Sequence, residues 1–207
     1  PGVPVYASTL ARGLLGNKIK EHKLHNNPLI ALDPGDEIAI GPAHAKRIFR
    51  IIVGFGHAPE HASLYCEDDR LLVTGDMVLP RISTNVSVFD LEPDADPLPR
   101  YLRSLDRLLM LPAGTLVLPS HGKPFIGLHQ RIAQQHRHHA DRLDEVLAAC
   151  AEPQTAASIV PVLFKRQLDL HQMTFALGES LAHLHALWYE GKLERRDDAG
   201  IYRFSVL

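Results

Sequence analysis

An α/β domain followed by a smaller α+β module is predicted by three observations. A strand, helix, strand order runs through residues 71–119, a long helical pattern covers 127–151, and the chain beyond it changes to helix, helix and β-hairpin. The 207 residues, 45% hydrophobic and 22% charged, suffice for one medium domain and one small one.

The opening stretch Val3-Pro4-Val5-Tyr6-Ala7 reads as a short strand, with Ser8-Thr9 capping a helix through Leu15. From 28 to 63 short apolar runs alternate with the turn signals Asp33-Pro34-Gly35-Asp36 and Gly41-Pro42. Residues 47–54 form one strand feeding a loop. Residues 61–67 and 71–75 form a hairpin around Glu67-Asp68-Asp69-Arg70. Leu98, Leu102, Leu105, Leu108 and Leu109 recur at three and four, which predicts an amphipathic helix over 96–110, and Leu116-Val117-Leu118-Pro119 follows as a buried strand. Glu152-Pro153 ends the long helix and sets a boundary between domains 1–150 and 151–207. Helices are expected over 155–164 and 175–190. A strand pair at 192–196 and 200–205 follows, an order similar to a winged-helix module.

A formal net charge of −2 gives no field suited to nucleic acid. No apolar run reaches the roughly 18 to 20 residues of a membrane span, and the N-terminus has no leader pattern, so a cytoplasmic protein is expected. Cys66 and Cys150 stand in no metal-binding spacing and read as buried free thiols. Thirteen histidines are the unusual count.

Three segments place His or Asp in a glycine-containing loop beside a strand: Gly54-Phe55-Gly56-His57-Ala58-Pro59-Glu60-His61, Thr74-Gly75-Asp76 and Pro119-Ser120-His121-Gly122. Imidazole and carboxylate suit a hydrolytic metal site, since both bind a borderline cation and leave a position open for water. Taken singly each segment is ordinary. Taken in this order they resemble the third, fourth and fifth motifs of the metallo-β-lactamase superfamily, whose two-metal site is completed by an HxHxDH motif near the end of an early strand.

The resemblance implies a partial αββα sandwich followed by the winged-helix-like module. It implies that His57 closes the first metal site, that Asp76 bridges the two metals as the catalytic residue, and that His121 belongs to the second. Zinc is the implied cofactor, with iron or manganese in similar sites. The implied activity is hydrolysis of a small-molecule ester or thioester by metal-bound hydroxide, as in a bacterial subgroup of metallo-hydrolases. No HxHxDH occurs in the chain. In the family that motif lies shortly before a segment resembling Pro4-Val5-Tyr6-Ala7-Ser8, so the chain is expected to begin downstream of it. It is then expected to bind metal weakly or not at all and to be inactive by itself.

Three further residues are candidates near the site. His61 would fix a ligand or a loop, against a purely structural hydrogen bond. Asn85 lies in the hydroxyl- and amide-rich stretch 80–89, read as a substrate-facing loop or a solvated connection. Lys123 would meet an anionic substrate, against a plain surface lysine. His136, His138 and His139 read as a solvated helix face, while His183 and His185, two apart on a helix, point to different sides. Two other functions stay open. One is a nuclease-type phosphodiesterase that uses the winged helix, against which Glu190, Glu194, Asp197 and Asp198 offset Arg195 and Arg196. The other is a non-catalytic binding or oligomerisation protein. A homo-oligomer, or exchange of elements between chains, is also expected, because missing strands would expose apolar surface.

Overall fold

Alternation along Arg47–Gly54 (β4) turns Phe49, Ile51 and Val53 inward and leaves Ile48 and Arg50 exposed, the period-two pattern of a strand with one face on a core. The computed structural model describes residues 5–8 and 29–207. The helix expected after Ser8-Thr9 lies outside the described residues. The described residues divide into two compact units. One comprises those up to Thr84 with Ser104–Arg131, and the other comprises Asn85–Arg103 with Ile132–Leu207. Residues 132–150 thus share a unit with 151–207.

The first unit is built on a six-stranded sheet. In order it contains β3 (Glu37–Ile40), β4, β5 (His61–Cys66), β6 (Leu71–Gly75), β7 (Leu116–Pro119) and β8 (Phe125–Ile126). β1 (Val5–Ser8) and β2 (Leu29–Leu32) pair in parallel as a separate ribbon. The hairpin of β5 and β6 and the strand β7 form as expected. All neighbours in the main sheet are antiparallel except β6 and β7, which are parallel and joined through α1 (Pro97–Leu108). Direction therefore alternates from β4 to β6 and then repeats at β7, so β4, β6 and β7 all run the same way. The loops after them, which carry the three His/Asp motifs, leave from one edge of the sheet.

The second unit collects α2 (Leu128–Ala149) from Ile132 onward, α3 (Ala156–Leu163), α4 (Leu170–Tyr189) and the hairpin β9 (Leu193–Asp198) and β10 (Ile201–Val206). Val146, Cys150, Ile159, Leu163, Leu184, Leu187, Leu193 and Phe204 form its core. Both cysteines are buried free thiols. Thr155 with Ser158 and Asp169 with Gln172 form capping boxes. The second box starts α4 five residues before the expected position. Leu170 and Phe175 are exposed, so the apolar period begins late although the cap comes early.

His139 corrects the expectation of a solvated face, for it is fully buried. Ile132, Gln135, His139 and Val146 recur at helical spacing and are all buried, so the charged neighbours on α2 belong to its other side. His183 Nδ1 donates to the carbonyl oxygen of Glu179 at 2.8 Å, which leaves its Nε2 to accept from His139 Nδ1 at 3.3 Å. His185 is also buried, with Nδ1 donating to the Ala95 carbonyl at 2.9 Å. Burial first, then the neighbouring imidazoles, lowers the pKa of His139 to about 3. His183 is lowered by burial to about 4, against the pull of its backbone hydrogen bond.

Burial raises Glu179 to about 7, opposed by the hydrogen bond from Asn85 Nδ2 at 3.2 Å and by Arg142. The signs are opposite. The histidines bind fewer protons folded than unfolded, so their contribution is present above about 6.5 and is lost as pH falls toward 4 and 3. Glu179 binds more protons folded, so its contribution is present in acid and is lost as pH rises through about 7. Glu179→Gln keeps the acceptor for Asn85 without the ionisation. It is expected to be more stable than the parent by about 1–3 kcal/mol at pH 8.5 and nearly equal to it at pH 5. Urea unfolding at the two pH values reads this, and equal midpoints at pH 8.5 would count against a buried ionisable carboxyl.

Candidate metal centre

Asp76 is aimed by an irregularity in the sheet. The β6–β7 register shifts between Val73 and Gly75, and Gly75 adopts φ +51°, so the chain turns sharply where Asp76 leaves the strand. Thr74, fully buried, donates its hydroxyl to the carbonyl of Val78 at 3.1 Å and ties the loop beneath. Thr84 donates to the Asp76 backbone carbonyl, and Ser120 donates to Asp76 Oδ1. Phe55 N donates to Ser104 Oγ at 2.9 Å, which anchors the start of the His57 loop.

The structure brings the three predicted ligands together. His57 Nε2 stands 3.6 Å from Asp76 Oδ2, and His121 Nε2 stands 3.5 Å from Asp76 Oδ1. One carboxylate thus faces a different imidazole with each oxygen. Two donors about 2.1 Å from one tetrahedral cation stand about 3.4 Å apart, so both spacings match the edge of such a site. Among the described residues no group of three or more His, Cys, Asp or Glu is arranged to hold a metal ion. Among those residues, each oxygen of Asp76 faces one imidazole. The imidazole and carboxylate donors brought together here are of the types that divalent metals bind.

His61 packs beside them. Its ring centroid is 6.0 Å from that of His57, its Nδ1 is buried without a hydrogen-bond partner, and burial, followed by the neighbouring His57, lowers its pKa. A Cβ on Gly75 would lie 2.6 Å from His61 Nε2, so the turn that presents Asp76 and the His61 ring occupy adjoining space. Lys123 lines a cleft of about 510 Å³ with His121, Pro80, Arg81, Ile82 and Phe125. Asn85 is not among these residues; its amide bonds Glu179 in the second unit. Thr84, Val86, Ser87 and Val88 are buried, so of the stretch 80–89 only its first residues line the cleft.

Sequence reasoning missed Ser120, Thr84 and Arg81. The signal for Ser120 was its place beside His121, and for Thr84 the density of hydroxyls after Asp76.

A family model described as the metallo-beta-lactamase superfamily matches residues 6–121, and one described as the metallo-beta-lactamase-like C-terminal domain matches 143–207. The chain belongs to the metallo-beta-lactamase superfamily. It is similar to a beta-lactamase domain protein from Burkholderia ambifaria, with TM-score 0.87 and 47% identity over 100% of this chain and 66% of that one. A metallo-beta-lactamase family protein from Thermus thermophilus matches with TM-score 0.74 and 34% identity over 88% of this chain and 55% of that one. A probable metallo-hydrolase of Bacillus subtilis (strain 168) is 29% identical over 137 residues, which is 64% of this chain and 42% of the relative. The chain therefore spans between two fifths and two thirds of the length of these relatives.

Gly75→Ala is expected to cost about 1–3 kcal/mol through the strained turn and the contact with His61. Adding His61→Ala should recover the steric part, so the two changes are non-additive in urea unfolding. Strict additivity would show that turn and ring do not press on each other.

Proposed function

We propose that these residues form part of the centre of a metal-dependent hydrolase acting on a small-molecule carboxylic ester or thioester, with zinc as the metal. The observation that carries the reading is the Asp76 carboxylate with one imidazole opposite each oxygen at 3.5 and 3.6 Å. Asp76 Oδ2 with His57, and Asp76 Oδ1 with His121, are the pairs that would hold two divalent ions. When bound, such ions supply positive charge that polarises an acyl oxygen and acidifies water. Ser120 orients the carboxylate by donating to Oδ1. The Thr84 hydroxyl fixes the backbone from which it projects. Hydrolysis adds water across the acyl bond and releases a carboxylate with an alcohol or thiol.

The cations of the C-terminal hairpin support a small-molecule substrate over nucleic acid. Arg195 pairs with Asp94 at 2.6 Å and lies 3.9 Å over the Trp188 ring, Arg196 pairs with Glu194 at 2.7 Å, and Arg203 pairs with Asp198 at 2.7 Å. Phosphates would have to compete with these carboxylates for each guanidinium. No helix among the described residues is long and apolar enough to cross a membrane.

With two donors per position among the described residues, the 207-residue chain is expected to take up zinc weakly and to hydrolyse a generic thioester slowly or not at all. A version carrying an HxHxDH-bearing segment ahead of residue 1 is expected to hold about two metals and to turn over. Asp76→Ala in that version should abolish both. Elemental analysis and a thiol-release assay read the outcome. An extended protein that stays metal-free and inert would overturn the hydrolase reading in favour of a binding or assembly role.

A further inference from the structure

The cleft beside His121 carries charge that the ligand geometry does not use. Its two walls are the loops after β6 and after β7, and they meet where Gly122 touches Pro80. Gly122 has φ +89°, and a Cβ there would lie 2.6 Å from Pro80 Cγ, so only glycine allows the loops to close this far. Arg81 follows Pro80 and Lys123 follows Gly122, so this contact holds the backbones of both cations at one junction. Arg131 pins the first wall by donating Nε to the Leu79 carbonyl at 2.6 Å and Nη2 to the Ile82 carbonyl at 2.7 Å. That guanidinium is engaged with backbone.

Arg81 and Lys123 differ from Arg131. Both are exposed, and neither appears in an ion pair among the described residues. Among the described residues no Asp or Glu lines the cleft, and Arg81 and Lys123 give its described lining a positive charge. Pro80, Ile82 and Phe125 add hydrocarbon to the described lining, and His121 is part of it. A volume of about 510 Å³ accommodates a small molecule with an apolar body.

We propose that this cleft is the substrate pocket of the candidate centre, and that Arg81 and Lys123 select an ester or thioester carrying an oxyanion group at the end of a short apolar segment. The inference rests on the hydrolase reading for the ester and on the cleft itself for the charge. Two cations on opposite walls bracket a carboxylate or a phosphate, while the apolar lining receives the intervening carbons and directs the other end toward His121.

The test is calorimetric binding to the purified chain at low salt. The probes are three non-hydrolysable thioethers that share one short alkyl body and end in a carboxylate, a phosphate or a methyl group. An anionic probe is expected to bind about tenfold tighter than the methyl probe, the combined effect of two exposed ion pairs, and the advantage should shrink as salt rises. The tighter of the two anions names the source. Arg81→Gln with Lys123→Gln should erase the preference, and Arg81→Lys with Lys123→Arg should keep it, with thermal unfolding unchanged in both because these side chains are exposed. Equal binding of the methyl probe, no binding of either anion, or an anion preference that survives the glutamine pair would overturn the proposal. Turnover separates the two readings. Equal hydrolysis of neutral and anionic esters by the metal-loaded extended protein sinks the charge selection alone, whereas charge-selective binding without any hydrolysis sinks the hydrolase reading alone.

Discussion

The site depends on strand direction. β4, β6 and β7 run the same way, so the loops that follow them are delivered to one edge of the sheet although they lie far apart in sequence. Reversing any one strand would carry its loop to the opposite edge. The parallel pair β6 and β7 requires the crossover through α1, and the apolar stripe Leu98, Leu105 and Leu108 that packs this helix is what makes the crossover stable. Burial of ordinary leucines is thus a condition for bringing His121 within 3.5 Å of Asp76.

The histidines divide by solvent. Side chains at the candidate centre keep access to water, with His121 at 70% and His57 at 26% exposure. His139, His183 and His185 are sealed, and burial keeps them neutral. Their rings act as shaped hydrogen-bonding groups inside the second unit, where a charged imidazole would be costly to desolvate. A count of thirteen histidines could not have separated the two groups, because the difference lies in what covers each ring.

Legibility in the sequence followed the range of the interaction. Elements set by local signals were readable: the Glu67–Arg70 turn, the leucine-spaced helix, and the glycine-flanked motifs in their family order. The start of α4 was misplaced because an Asp–Gln capping box is a weaker mark than an apolar repeat whose first members happen to be exposed. His139 was misassigned because its charged neighbours were weighed and its helical spacing from Ile132 and Gln135 was not. The pairings of Asn85 with Glu179 and of Ser120 with Asp76 join positions 94 and 44 residues apart, and no local pattern announces such partners.

Protein groups orient the carboxylate at the candidate centre. Ser120 fixes one oxygen, Thr84 fixes the backbone carbonyl, and the loop bond from Thr74 to Val78 lies beneath. Each unit has an apolar core of its own, since Ile51 and Val53 in one and Leu184 and Phe204 in the other are almost wholly buried. In a small zinc finger the ion replaces a core, so folding and binding are one event. Here each unit has its own apolar core, and protein hydrogen bonds orient the Asp76 carboxylate.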